Sequence, residues 1–103
     1  RVSDGDSFHL GDDRVRLLGL DAPELAQDCA RAGGGRWPCG QQARNRMAEL
    51  LASGPLDCRP EGRDRYERLL ARCSVDGADL GAIMVAEGLA VSSGDYWNEE
   101  SLG

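Results

Sequence analysis

The chain has 103 residues, which is the length of one domain, and 41% of them are hydrophobic, as in soluble globular proteins. It carries 12 basic and 18 acidic residues, so its net charge of -6 excludes nucleic-acid binding through overall charge alone. All basic residues are arginine, and the absence of lysine excludes a phosphate-binding loop of the Gly-Lys-[Ser/Thr] type. No apolar run approaches the roughly 18 residues that a membrane helix needs, so we expect no membrane partner.

The first twenty-odd residues predict a β-hairpin. Phe8 and Leu10 alternate with polar neighbours, which is typical of a strand with one buried face. Residues 11–13 (Gly-Asp-Asp) have the composition of a turn, and the apolar run 15–20 predicts the second strand. Pro23 ends that strand because proline has no N–H to donate to a β-ladder.

The middle of the chain predicts a loop and then a helix. Residues 25–40 show no sustained periodicity and contain three consecutive glycines, so we expect a loop there. A helix is predicted over 41–53 because four apolar residues fall on one face: Ala43, Met47, Leu50 and Leu51. The Gly54-Pro55 pair ends this helix.

The remaining elements alternate between strands and a second helix. Strands are predicted over 56–59, 68–75 and 89–91, with a charged loop at 60–66. A helix is predicted from the capping residue Asp79 to Glu87. Short strands separated by frequent turns are typical of a small barrel.

The four cysteines, Cys29, Cys39, Cys58 and Cys73, are spaced too widely for a Cys-x-x-Cys motif. Of the three possible pairings we favour Cys29–Cys39, which would close the glycine-rich loop, with Cys58–Cys73, which would link two neighbouring strands. The alternative is four buried free thiols in a cytosolic protein. Two disulfides would indicate an oxidising compartment, and therefore a secreted or periplasmic protein.

An acidic stretch near the N-terminus has the residue types of a site for a hard cation. Asp6 lies where a turn enters the first strand, and Asp21 and Glu24 lie where the second strand ends. Carboxylate oxygens, together with backbone carbonyls and water, bind Ca²⁺ or Mg²⁺. The alternative is a pair of ordinary surface turns, since Asp-Gly and Asp-x-Pro sequences are common in turns.

A second stretch, residues 62–68, is rich in arginine and contains Tyr66. The planar guanidinium group of arginine matches the geometry of phosphate oxygens. The alternative is a solvated charged loop, because neighbouring acidic residues nearly balance the arginines.

Taken together and in this order, the two stretches resemble the thermonuclease family of staphylococcal-nuclease-like domains. The resemblance is carried by Asp6, Arg16, Asp21, Pro23, Glu24, Asp64, Tyr66 and Arg68. It continues through residues 75–80 and 84–90, and the four cysteines resemble those of cysteine-containing bacterial members.

The resemblance implies an α+β fold, a five-stranded OB-type β-barrel with two to three packed helices. It implies one domain over residues 1–103, with the first strand and the last helix truncated. The activity that it implies is Ca²⁺-dependent hydrolysis of phosphodiester bonds in DNA and RNA, with single-stranded or locally unpaired substrates favoured.

The resemblance also implies a metal and catalytic set. Asp6 and Asp21 match the metal-binding carboxylates of the family. Ala22 stands where the family often has threonine, whose backbone carbonyl is the ligand, so alanine can serve equally. Glu24 matches the carboxylate that is thought to activate the attacking water.

Further residues match the groups that hold the substrate. Arg16 and Arg68 match the two arginines that bind the phosphate and offset charge in the transition state. Arg65 and Tyr66 fall where the family contacts the nucleotide's phosphate, and Tyr96 matches a tyrosine on the nucleotide-binding surface.

One residue departs from the family pattern. Glu67 stands where the family usually has glycine, so the backbone there is expected to need an angle that a side chain resists. Its carboxylate could also occupy the guanidinium of Arg68, and we expect reduced activity. The competing interpretations are a catalytically weak or inactive OB-fold module that binds nucleic acid or protein, and a disulfide-stapled structural domain without a ligand.

Overall fold

The structure is a computed structural model that describes residues 1–93. In chain order its elements are β1 (Val2–Asp4), β2 (Ser7–Leu10), β3 (Asp13–Leu17), β4 (Leu20–Asp21), β5 (Cys29–Ala30), β6 (Arg36–Trp37), α1 (Cys39–Ala52), β7 (Leu56–Arg63), β8 (Leu69–Val75), β9 (Ala78–Asp79), α2 (Leu80–Ala86) and β10 (Val91–Ser92).

The main sheet has the strand order β1-β2-β3-β8-β7, and the short β9 pairs with β8. Strands β3 and β8 run parallel, with Arg16 opposite Leu70, while the other pairs of this sheet are antiparallel. A mixed sheet of these six strands with two helices confirms the predicted α+β fold of the OB type.

The core lies between the sheet and the two helices. Phe8 and Val15 from the hairpin meet Met47 of α1 and Met84 of α2, and all four are almost completely buried. Helix α1 packs against β1 and α2, and α2 packs against β8. The apolar stripe predicted for α1 therefore faces this core, as its periodicity requires.

Both predicted helices are present, with small shifts in their ends. Helix α1 begins at Cys39, two residues before the predicted start, and ends at Ala52. Asp79 caps α2, since its Oδ2 accepts a hydrogen bond of 2.8 Å from the amide of Ala82. Gly88 follows the helix with φ +76°, the left-handed conformation that ends many helices.

Several strand and loop predictions differ from the structure, including the predicted strand 89–91, of which only Val91 lies in β10 (Val91–Ser92). The predicted strand 15–20 is divided in two, because Gly19 has φ +85° and turns the chain between β3 and β4. The predicted loop 25–40 contains the two-residue antiparallel pair β5–β6. Strand β7 continues to Arg63, with an irregularity between Pro60 and Gly62. Pro60 is tolerated there because β7 lies at one end of the described sheet order, where a missing N–H costs little.

Both favoured disulfides are confirmed. Cys29–Cys39 joins β5 to the first residue of α1, and Cys58–Cys73 joins directly paired positions of β7 and β8. Disulfides persist in oxidising compartments, so the two bonds indicate a location outside the cytoplasm. Within residues 1–93, no helix is long and apolar enough to cross a membrane.

Candidate active site

The centre of the site is a buried arginine on β3. Arg16 is 7% exposed, and its Nη1 donates hydrogen bonds to the carbonyl oxygens of Leu17 (2.8 Å) and Leu20 (3.0 Å). The same Nη1 lies 3.3 Å from Asp6 Oδ2, and Nη2 lies 2.5 Å from Asp21 Oδ1. Two carboxylates from different parts of the chain therefore converge on one guanidinium group.

Asp6 is held in place by the turn between β1 and β2. Its carbonyl oxygen accepts a hydrogen bond from the amide of Leu17 (2.9 Å), and its Oδ2 accepts one from the amide of Ala22 (2.9 Å). Burial raises the pKa of Asp6, and the opposing effects of Arg16 and the Ala22 amide do not fully compensate. The preceding Gly5 has no room for a Cβ, which would lie 2.9 Å from the Cβ of Ala22.

Asp21 occupies a more open position than Asp6. It lies on β4, which pairs with β10 and places Asp21 opposite Val91. Its side chain is 53% exposed, whereas that of Asp6 is 12% exposed. The pair thus presents one carboxylate inside the fold and one toward solvent.

Glu24 lies on a surface segment whose backbone is hydrogen-bonded on both sides of Glu24 to β1 and the turn that follows it. The amide of Ala22 is bound to Asp6, and the amide of Leu25 donates to Asp4 Oδ1 at 2.8 Å. The amide of Gln27 donates to the carbonyl of Glu24 at 2.9 Å, and the amide of Glu24 donates to Gln27 Oε1 at 3.3 Å. Glu24 itself is exposed to solvent.

The donor atoms near Arg16 are chemically suited to a hard divalent cation. Asp6 and Asp21 already meet at a cationic group, and carboxylate oxygens are ligands that such cations prefer. Among residues 1–93, no three His, Cys, Asp or Glu side chains are grouped to hold a metal ion. Remaining coordination positions would therefore fall to carbonyl, water or substrate oxygens.

Arg68 is placed by the tight connection between β7 and β8. Asp64 Oδ1 accepts hydrogen bonds from the amides of Tyr66 and Arg68, both at 2.9 Å, and its Oδ2 accepts one from Arg68 Nε at 2.7 Å. Burial alone would raise the pKa of Asp64, but these hydrogen bonds outweigh it and lower the pKa. Arg68 directly precedes β8, in which Leu70 is the parallel partner of Arg16.

Tyr66 lies at the tip of this connection with its side chain exposed. It is 55% exposed, and the guanidinium carbons of Arg65 and Arg68 lie 5.1 and 5.6 Å from the centre of its ring. Nη2 of Arg14 donates a hydrogen bond to its carbonyl oxygen. Arg65, Tyr66 and Arg68 are thus together, whereas Tyr96 and the expected last helix lie outside the described residues.

The backbone at Glu67 has the conformation expected from the family's glycine. Its φ is +65°, in the left-handed region that side chains disfavour. The guanidinium of Arg68, however, is paired with Asp64.

Sequence reasoning missed some residues that shape the site. Asp4 stands two residues before Asp6, and its carboxylate accepts a hydrogen bond from the amide of Leu25, beside Glu24. Arg14 stands two residues before Arg16, and that β-spacing could have placed it on the same face. Gly40 left no local signal, because its contact with residue 24 joins distant parts of the chain.

The strand order, the helices and the arginine–carboxylate cluster define a small OB-type domain with a charged site beside β3 and β4. The chain belongs to the family described as staphylococcal nuclease homologue, whose model matches residues 14–101. The matched region contains Arg16, Asp21, Glu24 and Arg68 and begins after Asp6.

Several curated proteins are similar to most of this chain. It is 38% identical over 92 residues to the succinoglycan biosynthesis protein ExoI of Rhizobium meliloti, which covers 87% of this chain and 48% of that protein. It is 35% identical over 99 residues to endonuclease YncB of Bacillus subtilis (87% and 44%). It is also 35% identical over 95 residues to an uncharacterized endonuclease of Escherichia coli O157:H7 (87% and 56%). The chain thus spans about half the length of these relatives.

Proposed function

We propose that this domain is a metal-dependent nuclease that hydrolyses phosphodiester bonds in DNA and RNA. The observation that carries the proposal is the convergence of Asp6 and Asp21 on the buried guanidinium of Arg16. Membership of the nuclease homologue family supports it, as do the similar proteins that are named endonucleases.

We propose Ca²⁺ as the metal. Asp6, Asp21 and the backbone carbonyl of Ala22 would hold it, because carboxylate and carbonyl oxygens are the ligands that Ca²⁺ prefers. When bound, a divalent cation acts as a Lewis acid that stabilises negative charge on the phosphate.

The protein's own side chains would divide the remaining tasks. Arg16 and Arg68 bind the non-bridging phosphate oxygens and stabilise the charge that develops as water attacks phosphorus. Glu24 accepts the proton of that water, a role for which its exposure on a tethered segment is suitable. Asp64 fixes the Arg68 guanidinium at the connection between β7 and β8.

We propose single-stranded or locally unpaired nucleic acid as the favoured substrate. Tyr66 is an exposed ring on which an unpaired base can stack, and Arg65 beside it can bind a phosphate. The net charge of -6 weakens attraction to long duplex DNA, so binding would depend on this local surface. The two disulfides support a secreted or periplasmic location.

The test measures cleavage of single-stranded DNA, duplex DNA and RNA in Ca²⁺ and in EDTA. We expect Ca²⁺-dependent cleavage that falls by about 10²–10⁴-fold in Glu24→Gln, the range for a general base. Arg16→Lys keeps the charge but loses the paired donors of the guanidinium, so it should also be strongly impaired. Arg46→Ala on α1, whose partner Glu87 is outside the site, is the matched control and should remain active. Wild-type activity that is equal in Ca²⁺ and EDTA would refute the metal dependence.

A second candidate is a non-catalytic OB-fold module. It is favoured by the ion pair between Arg68 and Asp64, which occupies one edge of the guanidinium that would have to bind phosphate. Binding of oligonucleotides without cleavage under any metal condition would identify this function.

A further inference from the structure

Gly40 lies in the first turn of α1 and touches the backbone of the segment that carries Glu24. A Cβ built on Gly40 would lie 1.7 Å from the carbonyl oxygen of Glu24 and 2.8 Å from that of Leu25. Both neighbours are backbone atoms, so no side-chain rotation can make room. Any larger residue at position 40 must displace the backbone at residues 24–25 or the start of the helix, by about 1.5 Å or more to reach normal contact.

The helix is the better anchored of the two partners. The disulfide to Cys29 holds Cys39, and both Cys39 and Gly40 are buried. Ala43, one turn further along, is completely buried in the core. Glu24 and Leu25 are exposed, so the surface segment is the part that would move.

A second contact links the same two places through Gln27. The amide of Gly40 donates a hydrogen bond of 3.0 Å to the carbonyl of Gln27, whose side chain accepts one from the amide of Glu24. The absence of a side chain at position 40 lets the helix and this loop approach closely enough for that contact.

We propose that Gly40 is a positioning residue for Glu24: by having no side chain, and through Gln27, it sets the place of the Glu24 backbone relative to the barrel. The proposal rests on the proposed function, because it assigns a consequence for catalysis to the position of Glu24. It adds a residue that touches no substrate and acts only through the backbone of another.

The experiment compares Gly40→Ala with Gln41→Ala, an exposed neighbour in the same helical turn. Alanine is a better helix former than glycine, so a position without the close contact would tolerate this change well. We expect kcat of Gly40→Ala to fall by up to about 100-fold, the cost of a displacement of this size, with KM and the folded circular-dichroism spectrum unchanged. Gln41→Ala should keep the wild-type kcat.

A double-mutant cycle separates positioning from a general loss of structure. If Gly40 acts through Glu24, Gly40→Ala adds no further loss of kcat in the Glu24→Gln background. Equal losses in both backgrounds, or an unchanged kcat in Gly40→Ala, would overturn the proposal. If Gly40→Ala does not fold, the cycle is repeated with Gln27→Ala, which removes the side-chain acceptor of the Glu24 amide and so tests the link through Gln27. A full additional loss of kcat on adding Gln27→Ala to Glu24→Gln would overturn the proposal.

A measurement that needs no substrate tests the contact of Gly40 with the Glu24 segment independently of the proposed nuclease function. In amide NMR spectra, Gly40→Ala should shift the resonances of Glu24, Leu25 and Gln27, whereas Gln41→Ala should not. If the wild-type protein cleaves no nucleic acid but Gly40→Ala shifts these resonances, the nuclease function and the catalytic role of Gly40 are refuted and the contact is upheld. Unshifted resonances at these three residues would refute the contact itself.

Discussion

Replacing Glu67 by glycine should stabilise the fold. Glu67 closes the connection between β7 and β8, where its amide donates to the carbonyl of Asp64 at 3.0 Å and its carbonyl accepts from Arg63 Nη1 at 3.1 Å. Residue 67 follows a tight turn and has φ +65°. In three-residue hairpin loops of this kind, a residue in the left-handed region completes the loop. Both hydrogen bonds use backbone atoms of residue 67, so glycine keeps them.

Two opposing effects determine the expected gain in the free energy of unfolding. A left-handed backbone costs an L-residue about 1–2 kcal/mol, and glycine removes this cost. Glycine in turn loses more conformational freedom on folding, which costs roughly 0.5–1 kcal/mol. The net expectation is a gain of about 0.5–1 kcal/mol in the free energy of unfolding. For a domain of this size that corresponds to a rise in Tm of about 2–8 °C.

Thermal and urea unfolding of Glu67→Gly, Glu67→Ala and the wild type would test this reasoning. Alanine removes the carboxylate but keeps the Cβ, so it should change the stability by less than about 0.5 kcal/mol, as exposed substitutions usually do. Asparagine, which tolerates the left-handed region, should fall between alanine and glycine. Equal stabilities of the glycine and alanine variants would refute backbone strain as the cause.

Three further changes have expected outcomes. Asp64→Asn should lower the free energy of unfolding at pH 7 by about 1.5–3 kcal/mol, because charge-assisted hydrogen bonds are lost. Because folding lowers the pKa of Asp64, its contribution to stability is fully present above its unfolded pKa near 3.8 and is lost as the pH falls through the folded pKa. The free energies of unfolding of the wild type and Asp64→Asn, measured in urea, should therefore converge at acidic pH. Removing the Cys58–Cys73 bond with alanine at both positions should cost about 3 kcal/mol for a loop of 15 residues, measured by thermal unfolding. Asp79→Ala should cost about 1 kcal/mol in urea unfolding because the cap of α2 is lost, and a loss near zero would contradict the capping role.

Features with a local physical cause could be predicted from the sequence. The alternation around Phe8, the apolar stripe with Met47 and the cap at Asp79 each depend on neighbours within a few residues, and the structure confirms all three elements. The expected burial of Leu10 beside Phe8 was wrong, because Leu10 lies at the end of β2 and is exposed. The disulfide pairing followed from the loop and the neighbouring strands that the cysteines connect.

Features that depend on distant partners could not be predicted in the same way. The extension of β7 past Pro60 depends on its pairing with β8, which outweighs the local turn composition. The pairing of Arg68 with Asp64 rather than Glu67 depends on how the hairpin tip closes. The contact of Gly40 with residue 24 joins a helix to a loop that shows no periodicity of its own.

Arg16 and Glu24 are held in the candidate site in different ways, so substitutions of the two residues should differ in their effect on stability. Arg16 is buried and pairs with Asp6, so its removal leaves a buried carboxylate without that charge partner and should reduce stability as well as activity. Glu24 is exposed on a tethered surface segment, so Glu24→Gln should reduce activity while leaving unfolding nearly unchanged. Measuring Tm beside kcat for both variants tests this separation, and a large loss of Tm in Glu24→Gln would show that the segment is part of the structural core instead.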